Sequence, residues 1–181
     1  MIYFTADLHF GHENIIKFCK RPFDSIEAMD KAMIANYNAA VQDDDEVYII
    51  GDFTRSKQAA KAYLSVLNGK KYLVAGNHDN FIDDFNADGW FEWVKEYAVI
   101  NYKGVKFILC HYPIAEWAGF YKGTVHLHGH IHNRPVESWN PAKIRAFNVG
   151  VDVCGYKPVS MDEIIKRANK IPVINRDNKD D

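Results

Sequence analysis

Five short polar motifs, each placed directly after a run of apolar residues, constrain the fold of this chain more than any other feature. They are Asp7-Leu-His9, Gly51-Asp52, Gly76-Asn77-His78-Asp79, Cys110-His111 and Gly129-His130-Ile131-His132. The apolar runs before them are short and rich in β-branched and aromatic residues, which is typical of buried strands. In α/β sheets, ligands bind beyond the carboxyl ends of the strands. The sequence therefore predicts that five strand ends, from segments far apart in the chain, meet at one polar site.

The histidines indicate the chemistry of this site. All eight lie within or beside the five motifs, where imidazole can serve as a metal ligand or as an acid and base near neutral pH. With carboxylate and amide oxygens they form a mixed ligand set that suits Mn, Fe, Ni, Co or Zn better than a metal that prefers thiolates. Taken singly, each motif has an ordinary alternative, such as an aspartate that caps a helix or an Asn-Asp turn. The inference therefore depends on the whole ordered set.

The pattern between the motifs predicts how the strands are connected. In the first half, strands alternate with helices. The strands are predicted at 2–6, 47–50 and 72–75. The first helix is predicted from about His12 to before Pro22, the second begins at the Asp24-x-x-Glu27 start signal, and the third lies around 60–67. In the second half the strands are predicted at 94–101, 105–110, 125–128 and 145–149, with a hairpin turn at Lys103-Gly104 and a capping box at Ser160 that opens a last helix. This order predicts an α/β fold, a four-layer α/β/β/α sandwich of two stacked mixed sheets flanked by helices.

Composition limits the other classes of protein. The 181 residues predict one domain over 1–170 with a polar, frayed tail over 171–181. A formal charge of −2 provides no basic surface for long nucleic acid. Three cysteines without paired spacing indicate reduced thiols and a cytoplasmic location. The N-terminus has no basic leader, and no stretch approaches the ~20 apolar residues of a membrane span.

The ordered set of motifs resembles the calcineurin-like metallophosphoesterase superfamily, and the resemblance runs from Asp7 to His132. The one departure is Cys110, where many members carry Ser or Gly before a ligand histidine. The resemblance implies two divalent metal ions, with Asp52 bridging them and a hydroxide between them that attacks phosphorus. It implies that Asp7, His9, Asp52 and His132 hold one metal, and that Asp52, Asn77, His111 and His130 hold the other.

The same resemblance implies roles for residues beside the ligands. His78 would act on the phosphate as a catalytic group, either by stabilising charge or by protonating the leaving oxygen. Asp79 would either orient His78 or serve as a turn residue. Arg55 and His12, each three residues beyond a ligand position, would bind the substrate phosphate or lie at the surface.

Two further features have alternative interpretations. His126 and His128 lead into the last motif, and we expect them to support the ligands or to pack in the core rather than to bind metal. The aromatic stretch 112–122 would either stack an aromatic part of the substrate or pack under a surface loop.

The predicted function is hydrolysis of small phosphate esters, with nucleotide-like phosphodiesters preferred. The alternatives are a phosphomonoesterase and, with less support, a nuclease or a non-catalytic metal-binding scaffold. The predicted partner is a small phosphate-ester substrate, without long nucleic acid or membrane, and the sequence leaves the oligomeric state open.

Overall fold

The computed structural model describes residues 1–82 and 89–174, and these form two mixed sheets flanked by helices. The first sheet contains the strands β1 (Ile2–Thr5), β2 (Glu46–Ile50), β3 (Lys70–Val74), β4 (Trp93–Lys95) and β9 (Val159–Ser160). Their order is β4-β3-β2-β1-β9, and β1 to β4 run parallel while β9 is antiparallel to β1. Three parallel neighbours, β1, β2 and β3, therefore end at the same edge.

The second sheet contains the strands β5 (Tyr97–Tyr102), β6 (Val105–Cys110), β7 (Val125–His128) and β8 (Ala146–Asn148). Their order is β5-β6-β7-β8; β5 and β6 form the predicted hairpin, and β6, β7 and β8 are parallel. The alternation of side chains along β7 places Val125 and Leu127 in the core between the sheets, and His126 and His128 on the opposite face.

The four helices are α1 (Asn14–Cys19), α2 (Ile26–Ala40), α3 (Lys57–Leu64) and α4 (Met161–Ala168). Alternate residues of the first sheet divide between two cores. Tyr3 and Val47 pack with α1 to α3, whereas Phe4 packs with the second sheet, where its ring lies 6.5 Å from that of Phe107. The predicted arrangement of two sheets flanked by helices is confirmed.

Helix starts follow local hydrogen bonds, with one correction. The Ser160 hydroxyl accepts a bond of 3.2 Å from the Glu163 N–H and caps α4, as the capping box predicts. The predicted Asp24-x-x-Glu27 start of α2 is wrong, because Ser25 is the cap and accepts from the Ala28 N–H at 3.2 Å. A serine and an aspartate one residue apart offer equivalent caps, and only the backbone geometry selects between them.

The predicted strand 94–101 is also wrong as a single element. The chain leaves the first sheet after Lys95 and enters the second sheet at Tyr97, so that Glu96 joins two different sheets. No glycine or proline marks this crossing. Of the predicted tail over 171–181, residues 175–181 lie outside the described residues.

Candidate metal centre

The predicted ligands lie in loops that follow five strand ends. Asp7 and His9 follow β1, Asp52 follows β2, Asn77 follows β3, His111 follows β6, and His130 and His132 follow β7. Backbone hydrogen bonds join these loops, including those from Asp7 N–H to the Gly51 carbonyl at 3.0 Å and from Gly129 N–H to the His111 carbonyl at 3.0 Å. The two sheets thus bring together the seven predicted ligand residues.

The backbone of this region is strained at the ligands themselves. Five of the seven predicted ligands have φ between 51° and 70°, namely Asp7, His9, Asp52, His130 and His132. The left-handed region costs an L-residue roughly 1–2 kcal/mol. Such strain persists where the surrounding structure imposes it, and it is concentrated at functional sites. The loops therefore hold these side chains in positions that relaxed turns would not give them.

Four glycines allow the ligand loops to approach one another. A Cβ atom added at Gly51 would collide with the His111 ring, and one added at Gly76 would collide with the Asp52 carboxylate. A Cβ atom at Gly129 or at Gly150 would lie 2.6 Å from Oδ2 of Asp7. The first three glycines belong to the motifs, but Gly150 does not, and the sequence analysis missed it.

Asp52 lies between the two predicted ligand groups. Its Oδ2 is 3.4 Å from Nε2 of His9 and 3.5 Å from Nε2 of His111, while its Oδ1 accepts from the His78 N–H at 2.9 Å. Burial alone would raise the pKa of Asp52, but the hydrogen bond from His111 and the nearby His9 lower it to about 2. The ionised carboxylate therefore faces both groups, as the bridging position requires.

The first predicted group contains ligand atoms of Asp7, His9 and His132 that all lie within 4.8 Å of one another. His9 is buried, and neither of its ring nitrogens has a hydrogen-bond partner among the described residues. Burial lowers the pKa of His9 to about 3, so the ring is neutral and carries a free lone pair. An unsatisfied buried polar group costs about 1–3 kcal/mol, and a divalent cation beside Asp7 would satisfy it. These residues fit a metal ion.

The second predicted group gathers around Asn77. Its Oδ1 is 3.3 Å from Nε2 of His111 and 3.1 Å from Nδ1 of His130. Nδ1 of His111 donates to the Ile50 carbonyl at 2.9 Å, because a carbonyl only accepts, so Nε2 is the ring nitrogen that faces Asn77 and Asp52 and would bind a metal in its deprotonated form. Asp7 also lies within 4.8 Å of Asp52 and His111, so its carboxylate is close to both groups.

Arg21 and Asp152 support the site and were missed by the sequence analysis. The buried Arg21 guanidinium donates to both oxygens of Asp152 at 2.8 and 2.9 Å, and also to the backbone carbonyls of Asp7 and Leu8. Asp152 accepts from Nδ1 of His132 at 2.8 Å. A carboxylate in this position orients a ligand histidine and fixes which ring nitrogen faces the metal.

A sequence signal for Asp152 did exist. It follows strand β8 in Gly150-Val151-Asp152, a Gly-x-Asp pattern related to Gly51-Asp52, and the rule that polar residues follow strand ends would have included it. Burial lowers the pKa of His132, but the hydrogen bonds to Asp152 and Cys19 outweigh burial and raise it to about 10. Arg21 carries no such signal, because it is a single arginine at the end of a helix.

His78 and Asp79 have different surroundings. The His78 ring is partly exposed and its centroid lies 5.2 Å from that of His9. Asp79 is buried, and its two oxygens accept from the N–H groups of Asp52, Phe53 and Gly76 at 2.8, 2.8 and 2.9 Å. Within the described residues the Asp79 carboxylate binds the backbone of two ligand loops and makes no hydrogen bond with the His78 ring. These contacts favour the alternative interpretation of Asp79 as a turn residue over the predicted orientation of His78.

The remaining predicted residues border an open cleft of about 640 Å³. His12 and Arg55 line this cleft together with His9, His78 and His132, and Nη1 of Arg55 is 3.5 Å from Nε2 of His12. Arg134 lines it as well and was missed. The cleft thus places two predicted substrate-binding residues beside the predicted ligands.

The other candidates pack in the core or at the rim. His126 is buried; Nδ1 is 3.2 Å from the Ile108 carbonyl, and Nε2 accepts from the Ile114 N–H at 3.2 Å. Within the stretch 112–122, Trp117 is buried and donates to the Thr124 carbonyl at 3.0 Å, whereas Tyr112 is exposed and its ring lies 4.7 Å from that of His130. The stretch is therefore divided between a packing role and a surface position next to the site.

Comparisons with known proteins extend over nearly the whole chain. A model of the calcineurin-like phosphoesterase family matches residues 1–176. An uncharacterized protein of Methanocaldococcus jannaschii is 40% identical over 179 residues, which cover 96% of this chain and 94% of that protein. The gene 66 protein of Mycobacterium phage L5 is 29% identical over 199 residues, covering 93% of this chain and 94% of that protein.

A solved structure has the same fold. The crystal structure of a protein of unknown function from Aquifex aeolicus superimposes with a TM-score of 0.76 at 30% identity, covering 92% of this chain and 98% of that one.

Within the described ranges, none of the helices has the length and apolar character needed to cross a bilayer.

Proposed function

The chain belongs to the calcineurin-like phosphoesterase family, and from this premise we propose that it hydrolyses small phosphate esters with two divalent metal ions. One observation carries the proposal: the ionised Asp52 carboxylate lies between His9 and His111, each of which directs a ring nitrogen toward it. A shared carboxylate offsets the repulsion between two cations held ~3.5–4 Å apart.

The ligand residues would divide as the motifs predict. Asp7, His9, Asp52 and His132 would hold one ion, and Asp52, Asn77, His111 and His130 the other; Mn, Fe, Ni, Co or Zn all suit this set. When bound, the ions supply Lewis acidity toward the phosphate and lower the pKa of a water that attacks phosphorus. The strained loops around them hold the ligand side chains in place before an ion arrives.

The residues around the cleft would act on the ester itself. His78, half-exposed beside His9, is positioned to donate a proton to the leaving oxygen or to stabilise negative charge on the phosphate. Arg55 and His12 border the same cleft and would hold the phosphate oxygens. The chemistry needs no contribution from the Asp79 carboxylate, which is bound to backbone amides.

A nucleotide-like phosphodiester is the proposed substrate class. The cleft is open and its volume of about 640 Å³ exceeds that of a phosphate group, which leaves room for substituents on the phosphate. The formal charge of −2 offers no general attraction for a duplex, so long nucleic acid is not a proposed substrate. A cytoplasmic location is part of the same proposal and rests on three free cysteines, Cys19, Cys110 and Cys154.

A phosphomonoesterase is the second candidate, and one observation favours it. Arg55 and Arg134 both line the cleft, and two guanidinium groups suit a doubly charged monoester better than a singly charged diester. The test is the hydrolysis of bis(4-nitrophenyl) phosphate and of 4-nitrophenyl phosphate by chelator-treated protein to which each divalent metal is added back. The diester proposal expects the higher kcat/KM for the diester, and a large preference for the monoester would replace it. Full turnover by metal-free protein would contradict the metal proposal.

A further inference from the structure

The connection between β7 and β8 is longer than the two ligands at its start require. It spans residues 129–145 without a helix or strand. Connections longer than ~12–15 residues without secondary structure are uncommon in compact domains and usually carry function. His130 and His132 occupy only its beginning, so the remaining residues need a separate explanation.

This connection borders an open pocket of about 570 Å³ beside β8. Small-molecule sites have volumes of about 300–1,000 Å³ and mostly apolar walls. The cavity, which we call the Trp139 pocket, has apolar walls formed by Ile131, Val136, Trp139, Ile144, Phe147 and Val153. The Trp139 ring packs edge-on against His128, with the ring centroids 5.4 Å apart and the planes at 79°. Packing against His128, on the face of β7 opposite Val125 and Leu127, therefore holds the indole in place at the wall.

The Trp139 pocket is adjacent to the cleft beside the candidate metal centre. Both are lined by the three consecutive residues His132, Asn133 and Arg134. The Arg134 side chain donates from Nε to the Ile131 carbonyl at 3.4 Å, and within the described ranges its Nη atoms have no hydrogen-bond or ion-pair partner. A guanidinium at the junction of the two spaces is suited to hold a phosphate oxygen on one side while an attached group extends to the other.

The polar groups around the Trp139 pocket limit what the pocket accepts. Arg167 is already paired with Glu163 at 3.0 Å, and Asn148 donates to the His132 carbonyl at 2.7 Å and accepts from Gly150 N–H at 2.8 Å. Glu137 adds a negative charge to the wall. A second anionic group is therefore disfavoured, whereas an uncharged flat group would contact the indole and the aliphatic side chains.

We propose that the Trp139 pocket binds an uncharged aromatic group, either a nucleobase or an aryl ring, that is attached to the phosphate bound at the metal centre. The proposal rests on the proposed phosphoesterase function and names the substrate class of that same site. The phosphate occupies the cleft beside His132, Arg134 marks the junction, and the aromatic group enters between Trp139 and β8.

The kinetic test uses three diesters with the same 4-nitrophenyl leaving group, in which the other substituent is methyl, phenyl or thymidin-5′-yl. Replacement of Trp139 by alanine is expected to raise KM roughly tenfold or more for the two aromatic esters, the order expected for loss of a stacking platform, and to leave the methyl ester unchanged. A loss confined to the thymidine ester identifies a nucleobase site, and an equal loss for both identifies a general aryl site. An equal change for all three esters overturns the proposal.

Further variants keep the test decisive. Val153→Trp, which fills the pocket from an exposed rim position, is expected to raise KM for the aromatic esters without removing core packing, and Trp139→Phe is expected to restore most of the affinity. Val99→Ala removes an exposed apolar side chain from the opposite edge strand of the same sheet and is the matched control. If Tyr112→Ala rather than Trp139→Ala weakens the aromatic esters selectively, the rim holds the group and the proposal is wrong.

A binding measurement separates this proposal from the phosphoesterase function. Phenylphosphonate and methylphosphonate, which have no ester bond to hydrolyse, are titrated calorimetrically into metal-loaded wild-type and Trp139→Ala protein. Tighter binding of phenylphosphonate, lost in the variant, supports the pocket even if no ester is hydrolysed. Equal binding of the two probes by wild-type protein overturns the pocket even if the protein is an active phosphoesterase.

Discussion

The two groups of predicted metal ligands differ in their burial and in the groups that support them. Asp7 and His9 are buried, and the histidine that completes their group is oriented by the charged pair of Arg21 and Asp152. In the other group Asn77 is exposed and His130 is half-exposed, as His132 is in the first group, whereas His111 is buried and is oriented by a neutral backbone carbonyl. Ligand side chains that are held in place by charged neighbours lose less conformational entropy when they bind a metal, and they release the metal more slowly. We therefore expect the group of His9 to bind its metal more tightly than the group of Asn77.

Replacement of Asp52, the residue that both ligand groups share, should reduce activity more than any other substitution proposed here. Asp52→Ala eliminates the carboxylate between His9 and His111, so both groups should lose metal and turnover should fall by several orders of magnitude. Metal analysis and kcat/KM for an aryl phosphodiester measure this. Wild-type activity or metal content in this variant would contradict the bridging role.

Removal of His78 separates catalysis from metal binding. His78→Ala deletes a ring that lines the cleft without belonging to either ligand group, and loss of a general acid typically costs about 10²–10⁴-fold in rate. The metal content should stay at the wild-type level. An empty site in this variant would show that His78 is a ligand rather than a catalytic group.

The comparison of the two groups is tested by removing one ligand from each. His130→Ala should lose the weaker metal and keep about one equivalent per chain, because the enclosed group remains complete. His132→Ala should impair the tighter site instead. Chelator titration of the wild-type protein should release the metal in two steps. Release of both metals in a single step, or the same retained metal in both variants, would show that the groups are equivalent.

Asp152→Asn weakens the support of the enclosed group while leaving all seven predicted ligands in place. Loss of the carboxylate behind a ligand histidine typically lowers metal affinity about 10–100-fold. Asp162→Asn, at an exposed position on α4, is the matched control and should leave affinity unchanged. Competition with a metal-binding dye measures both, and equal affinity of the two variants would refute the role of Asp152.

The smallest expected effect concerns the close approach at Gly150. Gly150→Ala places a methyl group 2.6 Å from Oδ2 of Asp7, and forced overpacking of this kind costs about 1–3 kcal/mol in the free energy of unfolding. Urea unfolding measures the change, which should be accompanied by weaker metal binding. Gly104→Ala, at a hairpin tip with open space around it, should leave metal binding unchanged. Normal metal affinity in Gly150→Ala would mean that the Asp7 carboxylate can move away from the added methyl group and still bind metal.

Much of the fold and of the candidate site could be predicted because the signals are local. Short apolar runs predict strands, and the polar residues directly after them must lie at strand ends, so Asp7, Asp52, Asn77, His111 and His130 could be placed from the sequence. The choice of Ser25 over Asp24 as a helix cap could not, since both side chains can accept the same bond. The crossing at Glu96 between two sheets has no local signal either.

The set of strand-end side chains, and the ligand chemistry that they offer, can be read directly from the amino-acid sequence. Which atoms meet depends on the folded chain. Asp79 binds three backbone amides rather than His78, Arg21 reaches Asp152 from another part of the chain, and Gly150 lies against Asp7. The physical reason is that a residue type limits which bonds a side chain can form, whereas burial and loop geometry select the partner. The Trp139 pocket has the same origin, because apolar residues spread over 131–153 form a wall only when β8 lies beside the connection that precedes it.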